Sequence, residues 1–191
     1  MVYGIEMHPE GYAAADKAIM IVAARRSLAA SILLLLAAGL LHVLAFPKFN
    51  FSLLSGLALV PLLLVVALEP SAGRRFLWGT VSGGVFFAGT CYWIYGVMRN
   101  FGGLGVAAAA GVFVLFFLTL ALYWGLFGAL AGYLWKPRWG PPAIPLLWVA
   151  CEYARAHLLT GFPWLLTGYA DRKSTRLNSS HIQKSRMPSS A

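Results

Sequence analysis

Glu152 and Arg155 stand three residues apart inside an otherwise apolar stretch that runs from Pro141 to Leu159. Residues at that spacing share a helix face, so carboxylate and guanidinium are placed to pair. Ionisable side chains in a membrane-length segment are costly against lipid and normally face protein or water. Two roles are open to them: a structural ion pair that fixes this helix against its neighbours, or a polar site near a membrane surface. Just downstream comes Thr160-Gly161-Phe162-Pro163-Trp164. Gly161 frees the backbone, and Pro163 restricts Phe162 to extended geometry. Two large rings on such a loop suit contact with lipid acyl chains at headgroup level, and they suit plain interfacial anchoring as well. Phe162, Trp164, Thr160 and Gly161 are the candidate lipid-contact residues.

Other chemistry is sparse. The two cysteines, Cys91 and Cys151, lie in apolar runs at no metal or disulfide spacing. Both read as small buried hydrophobes. No Cys, Glu and Lys constellation lies in a soluble segment, so no catalytic residue, metal or cofactor is expected within this chain.

The elements that must carry these residues follow from composition. Of 191 residues 60% are hydrophobic and 11% charged, against about 25% charged in a soluble domain. The solvent of such a surface is lipid. The formal charge of +9 does not point to nucleic acid. Residues 1–170 hold ten Lys/Arg against five Asp/Glu, and the last 21 residues hold five against one. The excess thus flanks apolar runs or sits in a tail, as orienting charges do.

A transmembrane helix needs about 20 apolar residues. The runs predict about five, over 28–46, 51–68, 76–98, 105–135 and 141–159, giving an all-α integral membrane domain over 28–170. The fourth is expected as one long helix, since no turn cluster interrupts it. With the segment 1–27 in the cytoplasm, the inner loops carry Lys17, Arg25, Arg26, Arg74, Arg75, Lys136 and Arg138. The outer side carries Lys48, Arg99 and Arg155. This is the positive-inside split. Gly79, Gly83 and Gly84, and likewise Gly125, Gly128 and Gly132, recur at helical spacing and suit close helix approach in a bilayer.

After Ala170 the hydrophobic character stops. Residues 171–191, DRKSTRLNSSHIQKSRMPSSA, read as a disordered tail. They resemble a translated sequencing-adapter oligonucleotide and are expected to be non-native.

The order of local features resembles the apolipoprotein N-acyltransferase family. It comprises Phe46-Pro47 after the first helix, Gly89-Thr90-Cys91-Tyr92-Trp93, Phe101-Gly102-Gly103, Trp148-x-x-x-Glu152-x-x-Arg155, Thr160 to Trp164, and Gly168-Tyr169. The resemblance covers Leu28 to Ala170. It implies a bacterial inner-membrane, multi-pass protein whose partners are membrane lipids, a phospholipid acyl donor and a diacylated apolipoprotein. It further implies a periplasmic nitrilase-like α/β domain with a Cys nucleophile, a Glu base and an oxyanion-stabilising Lys. This chain is expected to be truncated before that domain and inactive alone. The alternatives are a non-enzymatic polytopic membrane protein or a transporter subunit, for which no repeat is seen.

Overall fold

The computed structural model describes residues 27–46, 51, 54, 56–135, 140–158 and 161–170. Thr160, all but the last residue of the expected cytoplasmic segment 1–27, and the expected tail 171–191 lie outside the described residues. The described residues form five α-helices and no strand: α1 (Leu28–Ala45), α2 (Val60–Ala67), α3 (Ala72–Asn100), α4 (Val106–Leu134) and α5 (Gly140–His157). A 3-10 turn, Thr167–Ala170, follows.

Local chemistry sets the helix ends. Ser27 caps α1, its hydroxyl accepting from the Ala30 N–H at 3.1 Å. Phe46 turns extended at φ −83°, ψ 163°, as the residue before Pro47 must. Glu69 stands at the start of α3, where an anion is favoured. It accepts from Ser71 N (3.2 Å) and Trp78 Nε1 (3.4 Å) and pairs with Arg74 Nε at 3.4 Å. The glycine pair turns the chain from α3 into α4: Gly103 adopts φ +63°, a conformation that few other residues take.

Three helices, α1, α3 and α4, are long and apolar enough to cross a membrane. α4 runs uninterrupted over 29 residues. The expected span 51–68 is different. Among its described residues the α-helical part is the eight-residue α2, about 12 Å long, so a helix alone does not carry the chain back across the bundle. The cause is Pro61, in the first turn of α2, where its missing N–H is tolerated. The Leu57 carbonyl, which an earlier-starting helix would pair with that N–H, accepts instead from Val60 N at 3.0 Å in a tighter turn.

α3 and α4 pack antiparallel at close range. A Cβ on Gly128 would lie 2.6 Å from the Arg75 carbonyl oxygen, and one on Gly83 would lie 2.7 Å from Trp124 Cβ. Gly84 has room, with only a Phe117 ring carbon at 3.9 Å. α1 runs parallel to α3, with Gly39 against Ser82 and Val85, and Val43 against Gly89. The starts of α1 and α3 and the end of α4 therefore share one end of the bundle. That end adjoins Arg25, Arg26, Arg74, Arg75, Lys136 and Arg138 in the sequence. The core between the helices is aromatic: Phe86, Phe87, Trp124, Phe127 and Trp148 are buried together.

Candidate functional site

α5 ends two residues past Arg155, at His157, and the chain then folds back against the bundle. Gly161, at φ +70°, makes the turn. A Cβ there would collide with the Ala156 carbonyl oxygen, so the position requires glycine. Phe162 N closes back on the Arg155 carbonyl at 2.9 Å. Leu165 is a non-glycine residue at φ +59°, a rare and mildly strained conformation.

Arg155 holds this loop from beneath. Only 3% exposed, it donates from Nη1 to the carbonyls of Phe162 and Trp164, both at 2.8 Å, and from Nη2 to that of Leu165 at 3.3 Å. Its guanidinium carbon lies 5.3 Å from the Phe87 ring centre, a cation–π distance. Glu152 serves the complementary groups. Its Oε1 accepts from Thr167 N at 2.7 Å and Thr167 Oγ1 at 2.8 Å, and Thr167 Oγ1 accepts from Trp148 Nε1 at 3.1 Å.

The direct Glu152–Arg155 ion pair expected from spacing is thus not formed. Among the described residues the ion pair is Arg74–Glu69. Glu152 and Arg155 attract across one helical turn, yet each directs its polar atoms at the loop. The reason is that non-helical backbone in a bilayer must find protein partners for its N–H and C=O groups. A charged donor and a charged acceptor supply strong ones.

The rings of the loop pack on two helices. Phe162 meets Phe116 of α4 edge-on at 5.4 Å, and Trp164 stacks on Trp93 of α3 at 5.9 Å. Trp93 lies 18 residues beyond Arg75, and Phe116 lies 18 residues before Leu134. Each interval is about 27 Å of helix, close to the ~30 Å hydrocarbon thickness. Both ring contacts therefore lie about one hydrocarbon thickness from the arginine-bearing end of the bundle. Trp164 remains 57% exposed there. Between α4 and the loop opens a cavity of about 200 Å³ lined by Phe116, Thr119, Tyr123, Arg155, Leu158 and Phe162.

One buried polar residue was missed in the sequence reading. His42, 1% exposed, donates or accepts at Nδ1 with the Ala38 carbonyl at 2.9 Å. Its Nε2 is buried with no hydrogen-bond partner among the described residues, beside Trp124 at 4.7 Å and Phe86 at 5.7 Å. An ionisable residue within the first span was the available signal. Cys91 and Cys151 are both free and buried, at 0% and 6% exposure. No cluster of metal-ligating side chains occurs among the described residues.

Fold and site together define an all-helical membrane protein with an aromatic loop held at one end of the bundle by a buried arginine and a half-buried glutamate. Residues 38–179 match the family model described as the apolipoprotein N-acyltransferase N-terminal domain. The chain is 36% identical over 146 residues to the apolipoprotein N-acyltransferase of Geobacter metallireducens, covering 73% of this chain and 27% of that protein. It is 37% identical over 148 residues to that of Methylococcus capsulatus (73% and 28%) and 32% identical over 149 residues to that of Vibrio cholerae (73% and 28%). The chain belongs to the apolipoprotein N-acyltransferase family. It spans a little over a quarter of the length of these relatives.

Proposed function

We propose that this chain is the membrane platform of an enzyme that moves an acyl chain from a phospholipid to the N-terminal diacylglyceryl-cysteine of a lipoprotein. The observation that carries the reading is the loop 161–167, pinned by Arg155 and Glu152 with the Trp164 ring exposed at the membrane boundary. Phe162, Trp164 and Gly161 form the edge past which the acyl donor moves; Thr160, the fourth candidate, lies outside the described residues. Chemistry within the chain itself has no support: both thiols are buried inside helices, where a reactive thiolate is disfavoured. Purified chain mixed with phospholipid and a diacylated lipopeptide yields no triacylated product above a blank without protein; reproducible turnover overturns the assignment. In an intact acyltransferase carrying this region, Trp164→Ala lowers acyl transfer about five- to tenfold, equivalent to the ~1–1.4 kcal/mol of one aromatic contact. Membrane yield stays unchanged. If yield falls and specific activity does not, the loop is an anchor only.

The protein sits in the bacterial inner membrane with its N-terminus in the cytoplasm. Support comes from the arginine-bearing helix ends, which the fold gathers at one face, in keeping with the positive-inside rule. In a cysteine-free background, an impermeant thiol reagent applied from outside labels Asn100→Cys and spares Ser71→Cys. The opposite pattern reverses the topology.

A further inference from the structure

Arg155 fixes the loop at the carbonyls of Phe162, Trp164 and Leu165. The far end of the loop is fixed at Thr167, through one hydroxyl. An indole N–H only donates, and an ionised carboxylate only accepts. Thr167 Oγ1 therefore accepts from Trp148 Nε1 at 3.1 Å and donates to Glu152 Oε1 at 2.8 Å. The Thr167 N–H meets the same carboxylate oxygen at 2.7 Å, so backbone and side chain are gripped together. Trp148 is a firm anchor for this chain of bonds. It is buried, edge-on to Trp124 at 5.0 Å and to Phe127 at 4.9 Å. Valine at 167 would match the shape of threonine but strand the Trp148 donor, which costs free energy away from water. Serine would keep both bonds.

Leu165 lies between the two holds, at φ +59°. A non-glycine residue keeps such a conformation only where its surroundings over-determine it. Released at Thr167, Leu165 relaxes toward negative φ, and the chain that carries Trp164 turns with it. The Trp164 ring stacks on Trp93 at 5.9 Å and is otherwise largely exposed, so its direction depends on the backbone beneath it. We propose that Thr167 is a positioning residue: its hydroxyl ties the loop to the aromatic core through Trp148 and sets where Trp164 stands. The inference rests on the reading that Trp164 belongs to the edge facing the acyl donor, and it adds what aims that edge.

The test uses the 191-residue protein in detergent, isotope-labelled at its indole nitrogens and followed by NMR. Each of the seven tryptophans gives one indole N–H signal, assigned by replacing that tryptophan with phenylalanine. Thr167→Val moves the Trp148 and Trp164 signals, and Thr167→Ser leaves both at the parent positions. In an intact acyltransferase carrying this region, Thr167→Val lowers kcat/KM for the phospholipid about fivefold, the usual scale of one neutral hydrogen bond, and Thr167→Ser stays within about twofold of the parent. Should Thr167→Val not stay folded, combining it with Trp148→Phe removes the stranded donor, and the Trp164 signal and the rate are read there. A Trp164 signal that does not move, in whichever variant folds, overturns the proposal. So does a Thr167→Ser variant as impaired as Thr167→Val, since the hydroxyl is then not what acts. A lower yield with an unchanged rate per folded molecule makes Thr167 structural only and overturns it as well. The functional reading fails separately. Full acyl transfer by Trp164→Ala removes the donor-facing edge, while displaced indole signals in Thr167→Val still show the loop aimed by Thr167.

Discussion

Arg155→Gln destabilises the helical domain by about 3–5 kcal/mol, whereas Glu152→Gln costs only about 1 kcal/mol. The asymmetry follows from what each side chain holds. Arg155 is the donor to three loop carbonyls, at Phe162, Trp164 and Leu165, and a glutamine amide cannot reach all three. An orphaned carbonyl away from water costs about 1–3 kcal/mol. Glutamine at 152 still offers an oxygen to Thr167 N and Oγ1, the two groups that Glu152 serves. Lysine does not rescue position 155, because a single ammonium replaces a planar fork of donors. Thermal unfolding in detergent reads the difference. At roughly 2–4 °C per kcal/mol for a domain of this size, Arg155→Gln lowers Tm by about 10 °C. The double variant loses less than the sum of the singles, since both residues pin one loop. Were the two charges chiefly partners of each other, Glu152→Gln would be as damaging as Arg155→Gln. Equal losses from the two single variants therefore refute the loop-holding role.

That distinction shows where sequence reasoning reached and where it stopped. Run length and charge placement suffice for α1, α3 and α4, the three helices long and apolar enough to cross a membrane, because a bilayer demands long apolar helices and tolerates few alternatives; α5 forms as a helix but is not among those three. The uninterrupted α4 was legible for the same reason: nothing in Val106 to Leu134 breaks a helix. Within 51–68 the α-helix is shorter than the apolar run because hydropathy ignores hydrogen bonding, although the chain still returns across the bundle there, as the parallel α1 and α3 require. Pro61 withdraws one N–H, and the Leu57 carbonyl turns to Val60 instead.

At the site, spacing on a helix states which side chains can meet, not which competing partners arrive later in the chain. The carbonyls that take Arg155 lie seven to ten residues downstream. They point back at it only because Gly161 and Leu165 adopt positive φ. Of these, Gly161 was readable as a turn residue; Leu165 carried no signal. His42 and the Trp148–Thr167–Glu152 chain depend on four helices and a loop converging, which no local pattern encodes.

Gly79→Val separates α3 from α4 and costs about 3 kcal/mol, while Gly96→Ala, on the same helix, is neutral or stabilising by up to about 1 kcal/mol. Both replacements put a Cβ where none was, but the surroundings differ. At Gly79 the new atom would lie 2.8 Å from the Trp124 carbonyl carbon and 3.0 Å from Gly125 Cα, with the Trp124 oxygen closer still. These are backbone atoms of the facing helix, so no rotamer change relieves the clash, and α4 must move. Moving it disturbs the buried core, because Trp124 packs against His42, Phe86 and Trp148. In lipid, little hydrophobic force opposes the separation, since helix association there rests on close van der Waals packing. At Gly96 nothing lies within 4 Å of the new Cβ, and alanine only narrows the unfolded ensemble. The measurement pairs thermal unfolding with near-ultraviolet circular dichroism, which reports the fixed tryptophan environment. Gly79→Val lowers both the transition temperature and the aromatic signal; Gly96→Ala lowers neither. A Gly79→Val protein that keeps the parent's transition and tryptophan signal would mean that α3 and α4 are not held at backbone contact.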